Sequence, residues 1–194
     1  MSETYVVKRQ EEFNTSLWSG GSTTELYIYP EDAVYKEGNF QCRISSATVE
    51  VGSQNFTSSS WSKKGIFLFF KGHLDMVHGE EKKISLEPFQ VDCFDGGIPT
   101  VSFGQVVDFN LMLKNGADGK MEAAQINLDE DFILKPEKGE NLLVVYVPAG
   151  TVKIEDMQVK TGELFICEDW SKELMIKNTG ESVAGLGICR VSVK

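Results

Sequence analysis

Ile66-Phe67-Leu68-Phe69-Phe70-Lys71-Gly72 is an apolar run closed by a glycine, and a short strand and turn separate it from Leu86-Glu87-Pro88-Phe89-Gln90-Val91. The same order returns at Leu143-Val144-Val145-Tyr146-Val147-Pro148-Ala149-Gly150, with Gly162-Glu163-Leu164-Phe165-Ile166-Cys167 at similar spacing. Each half reads as strand, glycine turn, strand, turn, strand. The middle strands alternate apolar residues, Leu74 and Met76 in one half and Val152 and Ile154 in the other. Self-similarity at a fixed period, here about 78 residues, marks two copies of one supersecondary unit, and this order of strands and turns is that of a jelly roll.

The rest of the chain agrees. Its 18 glycines and 5 prolines punctuate stretches rich in Val, Ile, Phe, Tyr and Thr, at Glu25–Tyr29, Phe40–Val49, Gly65–Phe70, Val106–Leu113, Leu142–Val147, Glu163–Cys167 and Ala184–Val193. No amphipathic stretch supports a helix longer than two turns. The expected fold is all-β, a double-stranded β-helix (jelly-roll) bicupin. Residues 1–116 form an N-terminal barrel carrying the site and 117–194 a C-terminal barrel, with strands free to exchange between the halves.

In 194 residues, 19 Lys and Arg against 29 Asp and Glu give a net charge of −10, and 41% of the residues are hydrophobic. That is enough apolar material for a packed core without metal or disulfide staples. The acidic balance repels polyphosphate, and no basic run offsets it, so nucleic acid and anionic membranes are excluded as partners. The start MSETYVVKRQEEF has no signal-peptide order and no apolar run reaches membrane-spanning length, which places the protein in the cytoplasm. Cys42, Cys93, Cys167 and Cys189 form no CxxC and read as reduced, mostly shielded thiols. Asn14-Thr15-Ser16 and Asn55-Phe56-Thr57 match the glycosylation pattern, which has no consequence without secretion.

Four motifs then stand out in order: Trp18-Ser19-Gly20-Gly21-Ser22-Thr23-Thr24-Glu25, Arg43-Ile44-Ser45-Ser46-Ala47-Thr48-Val49, Phe94-Asp95-Gly96-Gly97 and Asp108-Phe109-Asn110-Leu111-Met112. In order and spacing they resemble the HutD/Ves family, specifically over residues 13–116 and in general pattern beyond. The resemblance implies a bicupin linked by gene context to histidine utilisation, without an established catalytic activity. The chain departs from the family pattern at Ser19 and Ser22, where Asn-Gly-Gly-Gly is more usual. It also lacks the arginine usual before the strand near Phe67, having Lys63, Lys64 and Gly65 there.

Cupin enzymes hold metals with a set of imidazoles and a carboxylate. Here only His73 and His78 are present, five apart. They read as turn and strand-surface residues, so neither a metal with Glu80 or Glu81 nor a Ser-His-Asp or Cys-His centre is expected. No cofactor is expected either. Gly20 and Gly21 lack the Lys-Ser/Thr of a phosphate loop and read as a tight turn that sets Trp18 against the barrel or at a pocket's wall.

Arg43 is one of three arginines, within a strand of small and apolar residues. Alternation puts it on a face with Ser45, Ala47 and Val49, opposite Cys42, Ile44, Ser46 and Thr48. A buried guanidinium needs a partner: either Asp95 or Asp108, or a ligand carboxylate gripped by its planar fork. Asp108 and Asn110 share a face that turns outward to solvent or inward to line the barrel, and the family resemblance favours inward. Asp95 caps its own Gly-Gly turn or joins the site. The acidic and basic runs at 79–83 and 129–131 read as solvated loops.

The ligand-binding set is therefore Trp18, Thr24, Arg43, Ser45, Asp95, Asp108 and Asn110, with no catalytic or metal residues. The expected function is binding of a small carboxylate metabolite of amino-acid breakdown, such as a formylated glutamate, in a regulatory protein that forms a homodimer. The alternatives are a metal-independent isomerase or hydrolase using Asp95 or Asp108 as base, and a stress or interaction protein with a vestigial pocket.

Overall fold

Alternating β-branched and aromatic residues favour pleated, half-buried strands, and strands dominate the computed structural model. It describes residues 3–50, 54–56, 64–71, 73–80 and 82–194, with the backbone alone for 54–56 and 64–71. Thr57, Lys63, Gly72 and Glu81, which the motif readings touch, lie outside the described residues. Among the described residues the only helical segments are 3-10 turns at Gln10–Glu12 and Tyr35–Glu37.

The chain divides into two compact units, Asn14–Ala117, and Met1–Phe13 with Asp118–Lys194. The first segment joins the later unit because β1 (Thr4–Lys8) pairs along β17 (Leu164–Glu168). The division therefore departs from a split at 116/117 by this one N-terminal strand.

In the N-terminal unit a six-stranded antiparallel sheet runs β2 (Asn14–Trp18), β3 (Gly21–Tyr29), β4 (Cys42–Val49), β11 (Val106–Leu113), β6 (Lys64–Lys71), β9 (Val91–Phe94). Its companion runs β5 (Gln54–Phe56), β10 (Thr100–Phe103), β7 (Leu74–His78), β8 (Lys82–Leu86). In the C-terminal unit the order is β1, β17, β14 (Leu142–Ala149), β19 (Ala184–Ser192), β12 (Asp118–Ile126). The second sheet there is β13 (Asp131–Leu134), β18 (Leu174–Asn178), β15 (Thr151–Ile154), β16 (Met157–Lys160).

The repeat holds strand by strand. β11 lies between β4 and β6 as β19 lies between β12 and β14, and β7 lies between β8 and β10 as β15 lies between β16 and β18. Strands β4 to β11 thus recur as β12 to β19, one jelly roll written twice.

The two interiors differ in chemistry. The C-terminal unit is packed with Leu143, Val145, Val152, Ile154, Phe165, Leu186, Ile188 and their neighbours, all fully buried. Among the described side chains the N-terminal unit has an apolar cluster of Val49, Leu74, Met76, Leu86 and Val106, with Trp18, Ile84 and Phe94 against it. Gly21 starts β3 where a Cβ would fall 1.9 Å from the Thr48 carbonyl oxygen, so no other residue fits that turn.

All four cysteines are free; Cys42, Cys167 and Cys189 are buried and Cys93 is exposed. Burial pushes the Cys42 and Cys167 thiols up to about 12, which suppresses the reactive thiolate. Native-state labelling should therefore modify Cys93 quickly and the other three slowly, with all four reacting in denaturant. Two or more fast thiols in the native protein would contradict this packing.

Candidate functional site

Register decides what fills the N-terminal barrel. Arg43 opposes Met112, Ser45 opposes Asn110, Ala47 opposes Asp108 and Val49 opposes Val106 along β4 and β11, and directly opposed residues share a face. Val49 and Val106 pack on Leu74, Met76 and Leu86 of the companion sheet, so this face looks into the barrel. β3 adds Thr23 opposite Ala47 and Glu25 opposite Ser45. Asp92 of β9 falls in the row of Asn110, across Phe67. Cys42, Ile44, Phe109, Leu111 and Leu113 are buried on the reverse face. Asp108 and Asn110 thus point inward.

Asp108 is fully buried. Its Oδ1 accepts the Ala47 backbone N–H at 2.9 Å and the Asn110 Nδ2–H at 2.5 Å, whereas its Oδ2 is buried without a hydrogen-bond partner among the described residues. Desolvation pushes the carboxyl up to about 7, against the two hydrogen bonds that favour the charged form. A buried polar atom left unpaired is uncommon enough to need an explanation.

Arg43 is buried, and its partner is neither Asp95 nor Asp108. Its Nε donates to Glu25 Oε2 at 2.7 Å and its Nη1 to Ser45 Oγ at 3.3 Å, with Met112 Sδ at 3.9 Å. The Tyr35 ring, on the short turn between β3 and β4, lies 4.0 Å from the guanidinium carbon. Glu25 was not among the expected site residues. Its signal is its place at the start of an alternating strand, in register with the face of Arg43. A bulge between Glu25 and Tyr27 shifts the later residues and masks that face in the sequence.

Other expected members lie elsewhere. Thr24 opposes Ser46 on the reverse face, its hydroxyl 2.8 Å from that of Thr15. Asp95 is exposed and caps its own turn, its Oδ1 accepting the Gly97 N–H at 2.8 Å. Both therefore fall outside the interior set. Trp18 stays on the inner face, its Nε1 donating to Thr23 Oγ1 at 3.1 Å while the ring packs on the apolar cluster.

His78 corrects the surface reading. It is 4% exposed, with Nδ1 2.7 Å from Thr100 Oγ1, Nε2 2.8 Å from Asp92 Oδ2, and its ring stacked on Phe94. Because Leu74, Met76 and His78 alternate on β7, the histidine shares their inward face and ties the two sheets of the barrel together. His73 is exposed, beside Glu87, Asp75 and Ser85.

These donors do not fit a cupin metal. Both nitrogens of His78 are engaged, His73 is at the surface, and among the described residues no three His, Cys, Asp or Glu side chains converge. Elemental analysis of the purified protein should find well under one equivalent of transition metal. A full equivalent that disappears in His78→Gln would contradict this.

The second copy serves as an internal control. Aligned on the repeat of about 78 residues through β6 and β14, Asp108 and Asn110 fall on Leu186 and Ile188, both buried in the C-terminal core. The charged group of that barrel, Arg190, is consumed internally by Glu140, Glu122 and the Lys135 carbonyl. The fold is thus complete with apolar residues where the N-terminal barrel has a carboxyl and an amide. Asp108 and Asn110 are thus a polar pair that the fold does not require, kept at a cost in desolvation.

A family model, HutD, matches residues 10–184. None of the curated proteins compared with the chain matches it in sequence. Among solved structures, a conserved protein of unknown function from Pseudomonas aeruginosa PAO1 is similar at TM-score 0.80 and 15% identity, over 98% of this chain and 100% of that one. HutD from Pseudomonas fluorescens SBW25 is similar at TM-score 0.74 and 18% identity, with the same coverage. YhhW from Escherichia coli follows at TM-score 0.71 and 10% identity, over 96% and 97%. At these identities the likeness is one of fold, which is cupin-like.

Proposed function

We propose, on the premise that this chain belongs to the HutD family, that its N-terminal barrel binds a small carboxylate metabolite of amino-acid breakdown and acts as a ligand-responsive regulator. The family's link to histidine utilisation makes a formylated glutamate the first compound to test. The observation that carries the reading is the free, buried Oδ2 of Asp108 on an inner face whose counterpart in the second barrel is apolar. Ser45, Asn110 and Trp18 line the same face, and the Arg43–Glu25 pair closes one end of it. Arg43 holds that wall with Nε and Nη1, and among the described residues its Nη2 makes no hydrogen bond, which leaves it to meet a second oxygen of the ligand.

The enzyme alternative would use Asp108 as base. Among the described residues, however, no second titratable side chain hydrogen-bonds to Asp108 or Asn110 to act as its acid.

Thermal melts against a panel of amino-acid catabolites test the proposal. A ligand at 100 times its Kd stabilises the native state by about 2.7 kcal/mol, worth roughly 5 to 10 °C for a chain of this size. N-formyl-L-glutamate should shift the melt by several degrees, and less in Asp108→Leu. A flat response to every carboxylate at 10 mM would contradict the reading.

A further inference from the structure

Resting on the binding reading above, we infer that a carboxylate ligand is taken up together with one proton, which Asp108 holds on Oδ2 and donates to the ligand. Hydrogen-bond accounting within the barrel carries the assignment. Oδ1 already accepts two N–H groups, from Ala47 and Asn110, so Oδ2 is the oxygen left to carry a proton. Oδ2 is also the oxygen with no partner among the described residues.

A ligand carboxylate beside an ionised Asp108 would bury two like charges, which is prohibitive at low dielectric. Beside the neutral acid it accepts a short O–H···O⁻ bond instead. The cost of holding the proton is small near neutral pH because burial pushes this carboxyl up to about 7.

Among the described side chains no neighbouring charge replaces that proton. Among the described side chains the interior-facing charged groups besides Asp108 are Arg43, bound to Glu25 on β3, and Asp92 on β9, bound to His78 on β7 with Lys82 of β8 at 4.0 Å, with no others on β4 or β11. The titratable residues of β6 are Lys64 and Lys71 at its ends, and β2, β5 and β10 have none. Among the described side chains the cations nearest Asp108 are therefore engaged with carboxylates, so a ligand anion arriving at Asp108 Oδ2 meets the acid first.

Calorimetry on the full chain tests this, with N-formyl-L-glutamate and succinate as probes between pH 6 and 8.5. Wild-type affinity should fall about tenfold from pH 7.5 to 8.5, one proton's worth. Heats in phosphate and Tris at pH 8 should differ by the difference between the two buffers' ionisation enthalpies, for about one proton per ligand. Asp108→Asn presents a fixed donor in place of the acid, so it should lose the pH dependence and bind about tenfold more tightly than wild type at pH 8.5. Asp108→Leu, the residue type of the second barrel, should lose binding while keeping its melting transition.

Binding that is independent of pH in wild type, with no buffer dependence, overturns the proton coupling and leaves the binding reading standing. A pH dependence that persists in Asp108→Asn assigns the proton to another group, His78 first, and also overturns it. Failure of both probes to bind wild type at every pH overturns the binding reading, and the inference with it.

Discussion

Asp108→Asn should make the protein more stable at pH 8 and not at pH 5. The Asp108 carboxyl sits at about 7 in the folded protein against about 3.9 in an unfolded chain. Between pH 4 and 7 the native state keeps a proton that the unfolded state has released, so stability falls as pH rises through that window and levels off above it. At about 1.36 kcal/mol per pH unit the loss from this one group reaches roughly 4 kcal/mol. Asparagine does not titrate, but it leaves a buried N–H unpaired at about 1 to 3 kcal/mol. The variant should therefore gain about 1 to 3 kcal/mol over wild type at pH 8 and match or fall below it at pH 5. Denaturant midpoints at the two pH values measure this. Equal differences at both would mean that Asp108 does not hold its proton in the folded state. A gain in stability on removing a wild-type side chain is what a binding residue leaves behind.

Arg43→Ala should have the opposite effect. The substitution strands Glu25, whose side chain is 29% exposed, and removes the cation over Tyr35 and the hydrogen bond to Ser45. Breaking a fully buried pair costs about 3 to 5 kcal/mol. Glu25 regains some water, so about 2 to 3 kcal/mol is expected here. Arg43→Lys keeps the charge but cannot serve Glu25 and Ser45 with a planar fork, and should recover only part of the loss. The double variant Arg43→Ala/Glu25→Gln should recover most of it, because no carboxylate is then left without its cation. If Arg43→Ala melts like wild type, the pair contributes nothing to the wall of the barrel. Ligand titration on the same variant separates the wall from the grip: a weakening beyond tenfold in protein that is still folded assigns the Nη2 end of the fork to the ligand.

How the chain announces its fold and hides part of its site is visible in particular residues. The apolar runs at Ile66 and Leu143 give the repeat directly, and Val106–Leu113 is a strand with the bounds its alternation implies, because buried strands in a jelly roll need period-two patterning. Arg43, Ser45, Asp108 and Asn110 can be placed on shared faces by parity alone. Which face looks inward cannot, since both are buried and only the packing of Val49 and Val106 on the companion sheet decides it. Glu25 is missed because the bulge after it breaks the parity of β3. His78 is misread when its spacing is counted from His73, yet its parity with Leu74 and Met76 was legible. Asp95 attracts notice through its motif, but one residue past the end of β9 it bonds to its own turn. Its neighbour-but-two Asp92, inside the strand, is the carboxylate that reaches the interior. Motif membership thus locates a segment, and only register tells which of its side chains enter the barrel.

On the proposed reading, the N-terminal barrel takes a ligand carboxylate on Asp108. A crystal structure of the protein grown with saturating N-formyl-L-glutamate below pH 7 tests it most directly. A ligand carboxylate oxygen is expected about 2.5 to 2.7 Å from Asp108 Oδ2, the distance of a charge-assisted O–H···O⁻ bond, inside the barrel of Asn14–Ala117. A ligand seated in the C-terminal unit or on the surface, with Asp108 Oδ2 still unpartnered, would contradict it.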